Sequence, residues 1–235
     1  METETPTAAA TDAQMYERIV SAVLDHRLLP GTKLVEDRLA EAFGVSRTRI
    51  RPVLVRLANE SLVTMIPNRG AFIAQPTPQE AQEVFEARRL IEPTLVERFL
   101  ERASDADIAS LRELIDAEEA ARAEGEQQRA IRLSGEFHLR IAEVSGHATL
   151  GRILRELVSR TSLILMTYGP AGNVQRQHAA TCGCDEHRAL IQAMRLRATP
   201  EATRLMREHL LRIEAGLVFP DSAPGTGDLA DILRL

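Results

Sequence analysis

The chain has 235 residues, 44% of them hydrophobic, with tryptophan absent and aromatics at 3%. It can therefore bury cores made of Leu, Ile, Val and Ala, which excludes wholesale disorder and favours helices over a β-sandwich. Net charge is −5, which argues against nucleic acid only if the charge is evenly spread; residues 1–75 balance nine Lys/Arg against nine Asp/Glu, and residues 76–235 carry the whole excess. Two cysteines, Cys182 and Cys184, lie too close together to staple a fold and indicate a reducing cytoplasm. The first residues lack the basic-then-apolar order of a signal peptide, and no apolar run reaches membrane-spanning length.

In chain order, residues 1–11 read as a tail. Thr11 or Asp12 caps a first helix whose apolar face is Met15, Ile19, Val20, Val23 and Leu24. Leu29-Pro30-Gly31-Thr32 is a turn. Residues 35–43 form a second helix, ended by Gly44 as its C′ residue. Ser46 caps a third helix, with Ile50, Val53, Leu54 and Leu57 in one stripe. Outside that stripe, Arg47 and Arg51 form one flank, and Arg49 and Arg56 the other. Residues 45–58 hold these four arginines and no acid. An apolar back with a basic front suits a DNA groove, and it equally describes a solvated basic face. Helix, glycine turn and helix make a helix-turn-helix.

Residues 62–66 and 71–74 read as short strands around Pro67-Asn68-Arg69-Gly70, a hairpin that makes a wing. Gln75-Pro76-Thr77-Pro78 is a stiff linker. The organisation expected is thus residues 12–75 as a winged helix, 76–78 as linker, 79–218 as an all-α domain and 219–235 as a loose tail. The second domain reads as about six helices with no strand pattern. Residues 79–102 come first, with Val84, Leu90/Ile91, Leu95 and Phe99 inward and Pro93 kinking the helix. Ser104 caps the next, residues 126–144 follow, and residues 150–167 are the most apolar and central. After a loop at 169–172, a helix resumes near His178 or Cys184, and the last spans 200–218.

Residues 29–74 resemble the winged-helix domain of GntR-type bacterial repressors. The resemblance rests on Pro-Gly-x-x-Leu at 30–34, Leu-Ala-x-x-x-Gly-Val-Ser-Arg-Thr at 39–48, Arg-x-x-Leu-x-x-Leu at 51–57 and Pro-x-Arg-Gly-Ala at 67–71. A following all-helical domain of this length is similar to the FCD domain of the FadR branch. The resemblance implies DNA contacts at Ser46, Arg47, Thr48, Arg51, Arg69 and Gly70, and Arg49 joins them as a further cation on the same helix. Arg is the side chain that reads guanine bidentately, and Ser or Thr at a helix start can hold phosphate. Three positions depart from the family: Arg49 replaces a proline, Pro52-Val53 replaces Glu-Ala, and Asp37 stands where the fatty-acid-responsive member has a DNA-contacting arginine. Pro52, inside the helix, predicts a kink or a later start.

His138, His187 and His209 lie in contexts similar to metal-containing FCD domains, at spacings of 49 and 22 residues. The resemblance implies that three imidazoles meet inside the bundle on a divalent ion, with zinc or nickel expected. The usual aspartate ligand before the first histidine is Ser134 here. Two readings stay open: a ligand carboxylate or water completes the ion, or the histidines bind the effector directly. Arg88 matches the arginine that points to the ligand cavity, where it would clamp a carboxylate together with Ser134; Arg89 is its neighbouring alternative. His147 can cap a helix. Cys182 and Cys184 form no second pair for a thiolate metal site.

The function implied is a cytoplasmic, ligand-responsive regulator, a repressor in the family pattern. It would bind a palindromic operator as a homodimer and sense a small carboxylate, with no membrane partner. A metal-dependent hydrolase or lyase built on the three histidines is the alternative. A helical scaffold with an accidental basic patch leaves the wing and the histidine spacing without a role.

Overall fold

A computed structural model describes residues 10–169 and 183–219. The N-terminal part begins with α1 (Asp12–Leu24), whose N-cap is Thr11. Thr11 Oγ1 accepts from Gln14 N at 3.2 Å and Gln14 Oε1 accepts from Thr11 N at 2.9 Å, a reciprocal cap for two otherwise orphan amides. The short strand β1 (Lys33–Leu34) leads into α2 (Glu36–Phe43), which Gly44 closes at φ 65°. In that left-handed conformation glycine avoids the Cβ clash. Next is α3 (Arg47–Asn59), burying Ile50, Val53, Leu54 and Leu57, the stripe expected from the sequence.

Two expectations for α3 need correction. Ser46 is the N-cap, but its hydroxyl caps no amide; it lies 2.7 Å from Thr48 Oγ1, which competes for it. Pro52 neither breaks nor delays the helix. Its missing N–H deprives the Thr48 carbonyl of a helical donor, and both residues are exposed, so water can satisfy that oxygen. The buried stripe holds the opposite face.

The wing is β2 (Val63–Ile66) paired antiparallel with β3 (Gly70–Ile73), with Val63 opposite Ile73 and Ile66 opposite Gly70. The reversal uses positive φ at Asn68 and Gly70, 60° and 96°. β1 adds on the other edge of β3, giving the order β1-β3-β2. This third strand was missed because two residues carry no alternation to read.

Six further helices follow among the described residues: α4 (Pro78–Arg102), α5 (Asp105–Ala123), α6 (Gln127–Ser145), α7 (Ala148–Tyr168), α8 (Gly183–Arg195) and α9 (Thr199–Ala215). Thr77 with Glu80 and Ser104 with Asp107 cap α4 and α5 reciprocally. His147 Nδ1 accepts from Leu150 N at 3.3 Å and caps α7. Pro93 is buried inside α4, which is continuous through it. Leu90 does not face inward: it is 71% exposed, and Ile91 packs against the core instead. Phe99, Leu111, Ile115, Phe137, Leu154, Met194 and Met206 make the main core.

α7 is central in a specific sense. Leu154 and Val158 belong to the main helical core, Leu157 and Ile164 to a second cluster with Phe85, and Leu163 to the core of the winged helix. The winged helix therefore rests on α7. His26 Nε2 lies 3.2 Å from Ser162 Oγ, and Arg132 pairs with Asp25 at 3.3 Å across the same contact. Residues 1–9, the loop at 170–172, His178, Cys182 and residues 220–235 lie outside the described residues. Cys184 is buried at the start of α8.

Candidate functional site

Two places in the molecule gather the residues singled out by the sequence. The first is the outer face of α3 and the wing. Burying the Ile50–Leu57 stripe turns Arg47, Thr48, Arg49 and Arg51 to solvent. Each of these arginines meets an acid. Arg49 Nη2 donates to Asp12 Oδ1 at 2.7 Å, Arg51 Nε to Glu36 Oε2 at 3.0 Å, and Arg47 Nε contacts Asp37. Arg56 lies on the other flank, stacked 3.6 Å over the Tyr16 ring and paired with Glu60. At the wing, Arg69 and Lys33 sit 5.7 and 5.8 Å from the Phe72 ring centroid. Among the described residues, no acid pairs with either.

The second place is the interior of the helical domain, where His138 from α6, His187 from α8 and His209 from α9 converge. One ring nitrogen of each lies within 4.8 Å of the others, and all three are buried. His187 Nε2 and His209 Nε2 are 3.1 Å apart. The other ring edge of each histidine faces a glutamate. His138 Nδ1 is 2.5 Å from Glu92 Oε2, and His209 Nδ1 is 2.7 Å from Glu186 Oε2. His187 Nδ1 faces Glu118 Oε2 at 3.4 Å, too poorly aligned to be a hydrogen bond, so both atoms lack a hydrogen-bond partner. The carboxylates bonded to Nδ1 of His138 and His209 fix those two tautomers and leave the opposite nitrogens unprotonated as donors to an ion, and His187 turns Nε2 to the same centre. The donor set thus fits a divalent metal of the imidazole-preferring kind.

Electrostatics agree with neutral His138 and His209. Burial lowers His138 to about 4 against the pull of Glu92, and burial with the neighbouring His187 lowers His209 to about 3. For Glu92, burial alone would raise the pKa, but Arg88 and His138 outweigh it and hold it at about 2. The glutamate is a buried anion at neutral pH, and Arg88 is its counter-ion.

Arg88 Nε donates to Glu92 Oε1 at 2.6 Å and Nη1 reaches Thr161 Oγ1 at 3.4 Å, while Nη2 has no partner. Arg88, Ser134, His138, Thr161 and Ser162 line one cavity of about 50 Å³, and Leu24 of α1 forms part of its wall. Arg89, the alternative, contacts Glu214 nearer the surface. The structure thus brings Arg88, Ser134 and His138 together, with His187 and His209 next to them.

The sequence reading missed Glu92, Glu118 and Glu186. Glu92 had a signal, since Arg88 and Glu92 are spaced i,i+4 on one helix. Glu186 directly precedes His187 but serves His209, a pairing that only the packing of α8 on α9 creates. Glu118 lies in an acidic run that looks like a solvated face.

Comparison with known proteins supports the same division. Residues 11–73 match the gntR family of bacterial regulatory proteins, and residues 83–212 match the FCD domain. The chain is 24% identical over 197 residues to an uncharacterised HTH-type transcriptional regulator, YdhC, of Bacillus subtilis, covering 83% of this chain and 86% of the relative. It is 27% identical over 210 residues to the HTH-type transcriptional repressor GlaR of Escherichia coli, covering 86% and 93%. Among solved structures, E. coli McbR/YncC is similar in fold with a TM-score of 0.77 at 20% identity, covering 87% of this chain and 95% of that one. No helix among the described residues is long and apolar enough to cross a membrane. The family sets aside the hydrolase or lyase alternative: the chain belongs to the GntR family of bacterial regulatory proteins, carries an FCD domain, and is a transcription regulator rather than an enzyme.

Proposed function

We propose that this regulator senses a small carboxylate in the Arg88-lined cavity and responds by changing its grip on a palindromic operator as a homodimer, acting as a repressor in the cytoplasm. One observation carries the reading. The cavity lined by His138 and by Arg88, whose Nη2 is unpartnered, also touches Leu24, in the first helix of the winged-helix part. A buried guanidinium with an open donor suits an anionic ligand, because an unmet charged donor is costly to bury. A ligand there presses on α1, α6 and α7, where the two halves meet. It can alter DNA affinity only by binding two arrangements unequally.

His138, His187 and His209 are the residues to hold a zinc or nickel ion, and Ser134 replaces the usual aspartate. Such an ion supplies a Lewis-acidic anchor for a carboxylate oxygen. Arg88 orients the same ligand, and Glu92 keeps Arg88 in place. On the DNA side, Ser46, Arg47, Thr48 and Arg51 lie at the start of the recognition helix, and Arg69 and Gly70 at the wing tip, where phosphate contacts set the register and base edges are read. Arg49 belongs to the same face.

The test uses duplexes selected by the protein from a pool with a randomised centre. Selection should yield a palindrome bound in a salt-dependent manner, with Arg51→Ala weakening it and small carboxylates shifting the affinity in an Arg88-dependent way. Failure to enrich any sequence removes the DNA reading. Carboxylates that act equally on the Arg88→Ala variant remove the sensing site.

A further inference from the structure

The three arginines on the outer face of α3 are not held alike. Arg51 is bonded to Glu36 through Nε only, at 3.2 and 3.0 Å to the two carboxylate oxygens. Arg47 also meets Asp37 through Nε. In both, the outer edge with the two Nη groups is left open. Arg49 is held the other way, with Nη2 on Asp12 at 2.7 Å. A guanidinium reads guanine through two parallel N–H groups, and the Nη edge provides them. The pairs on Arg47 and Arg51 leave that edge intact, and the pair on Arg49 spends part of it.

The acids are placed by the fold rather than by the arginines. Glu36 and Asp37 are the first two residues of α2, and Asp12 is the first of α1. A helix N-terminus favours negative charge. Arginine side-chain exposure in the three pairs runs from 43% to 69%, so their contribution to folding is small. Three acids against three arginines also leave this face uncharged on balance. The wing differs, because Arg69 and Lys33 have no acid among the described residues.

We propose that Glu36 and Asp37 are specificity-determining residues of the DNA interface, which hold Arg51 and Arg47 by Nε with the guanine-reading edge outward, and that Asp12 ties Arg49 back so that it does not read. This rests on the DNA-binding reading of α3. Against an arbitrary phosphate backbone, a compensated arginine releases no net counterion, and its carboxylate partner repels phosphate. Against a guanine edge it arrives already oriented. The acids therefore depress non-specific binding more than specific binding, which raises the ratio between them.

The experiment titrates wild type, the isosteric variants Glu36→Gln and Asp37→Asn, and the truncations Arg49→Ala and Arg51→Ala with two probes across a salt series: a duplex selected by the wild-type protein, and the unselected random pool. For Glu36→Gln and Asp37→Asn, the log–log salt slope on the random pool should steepen by about 0.9 per arginine freed, which is roughly an eightfold gain near 0.1 M salt. The selected duplex should gain less than twofold, so the specificity ratio falls. Arg49→Ala should cost the selected duplex less than about twofold, against at least about fivefold for Arg51→Ala. Equal tightening on both probes overturns the proposal, as does an Arg49→Ala loss equal to that of Arg51→Ala. Unchanged binding in the acid variants, beside a wild type that still selects a sequence, overturns it while the DNA reading stands. A wild type that selects no sequence defeats both.

Discussion

Arginine meets carboxylate in two regions of this chain under opposite conditions. On α3, the side chains of Arg47, Arg49 and Arg51 and of their acids are 26% to 69% exposed, and each partner can be exchanged for a phosphate, a base edge or water. Between α4 and α6, the Arg88, Glu92 and His138 side chains are at most 3% exposed. There, a missing partner leaves a buried charge unpaired. The same ionic contact is thus a replaceable placeholder in one region and an obligatory unit in the other. Of the two sets, only the buried one leaves a guanidinium donor both buried and unpartnered, Nη2 of Arg88, in a side chain that lines the cavity.

The largest effect should come from breaking the buried unit. Glu92→Ala strands Arg88 without its anion and is expected to cost about 3–5 kcal/mol in denaturant unfolding, since an unpaired buried charge must be tolerated or hydrated. The double change Arg88→Met with Glu92→Leu sharpens the point. It removes both charges and should recover most of that stability while abolishing any carboxylate response. A single variant as stable as wild type would show that the region is not dry.

The winged-helix stripe, the glycine turn, the hairpin and the helix count were all legible, because each is a local pattern with a local cause. Gly44 and Gly70 mark backbone positions that require positive φ, and Ile50, Val53, Leu54 and Leu57 repeat at the helical period. The three histidines were legible through the family resemblance. What was not legible depends on which helix packs on which. Leu90 and Ile91 are adjacent, so periodicity alone could not choose between them, and the contact of α4 with α9 did. Glu186 became a partner of His209, and Glu118 a neighbour of His187, only when α5, α8 and α9 met. The ion pairs on α3 were likewise invisible, because Asp12, Glu36 and Asp37 come from other helices.

The next effect concerns the ion. Purified protein should carry a stoichiometric divalent metal, and a variant with His138, His187 and His209 all changed to alanine should carry none. An ion present at about a thousand times its dissociation constant adds about 4 kcal/mol. For a chain of this size chelation should then lower the melting midpoint by roughly 10 °C. Metal content that survives the triple change would move the ion elsewhere and leave the histidines as a packed polar cluster. An intermediate outcome is specific to the glutamates: Glu186→Gln, which changes the group bonded to His209 Nδ1, should weaken metal retention about 10- to 100-fold, as loss of a partner behind a ligating imidazole does.

On the exposed side, Arg51→Ala should cost about 1–3 kcal/mol in operator binding, if Arg51 reads a guanine through its two Nη groups. The loss should be concentrated at one base pair of the selected duplex. Arg69→Ala at the wing tip should instead weaken binding to all sequences alike and flatten the salt slope by about 1. A uniform loss for Arg51 would make it a phosphate contact, and the helix would then position the protein rather than read sequence.

The smallest expected effect is also the one that decides the comparison. Glu36→Gln removes the anion beside Arg51 but keeps a polar side chain of the same shape and leaves Arg51 in water, so the change in unfolding free energy should stay within about 1 kcal/mol. The α2 N-terminus loses one favourable charge, worth about 0.3–1 kcal/mol at low salt, and Asp37 remains to supply another. Arg51 keeps its solvation throughout. The measurement is chemical unfolding of wild type and variant at matched salt, repeated at 0.5 M salt, where a purely electrostatic difference should shrink. If Glu36→Gln instead destabilises the winged helix as much as Glu92→Ala destabilises the bundle, the acid on α2 is structural. The contrast between replaceable and obligatory pairs would then fail at its exposed end.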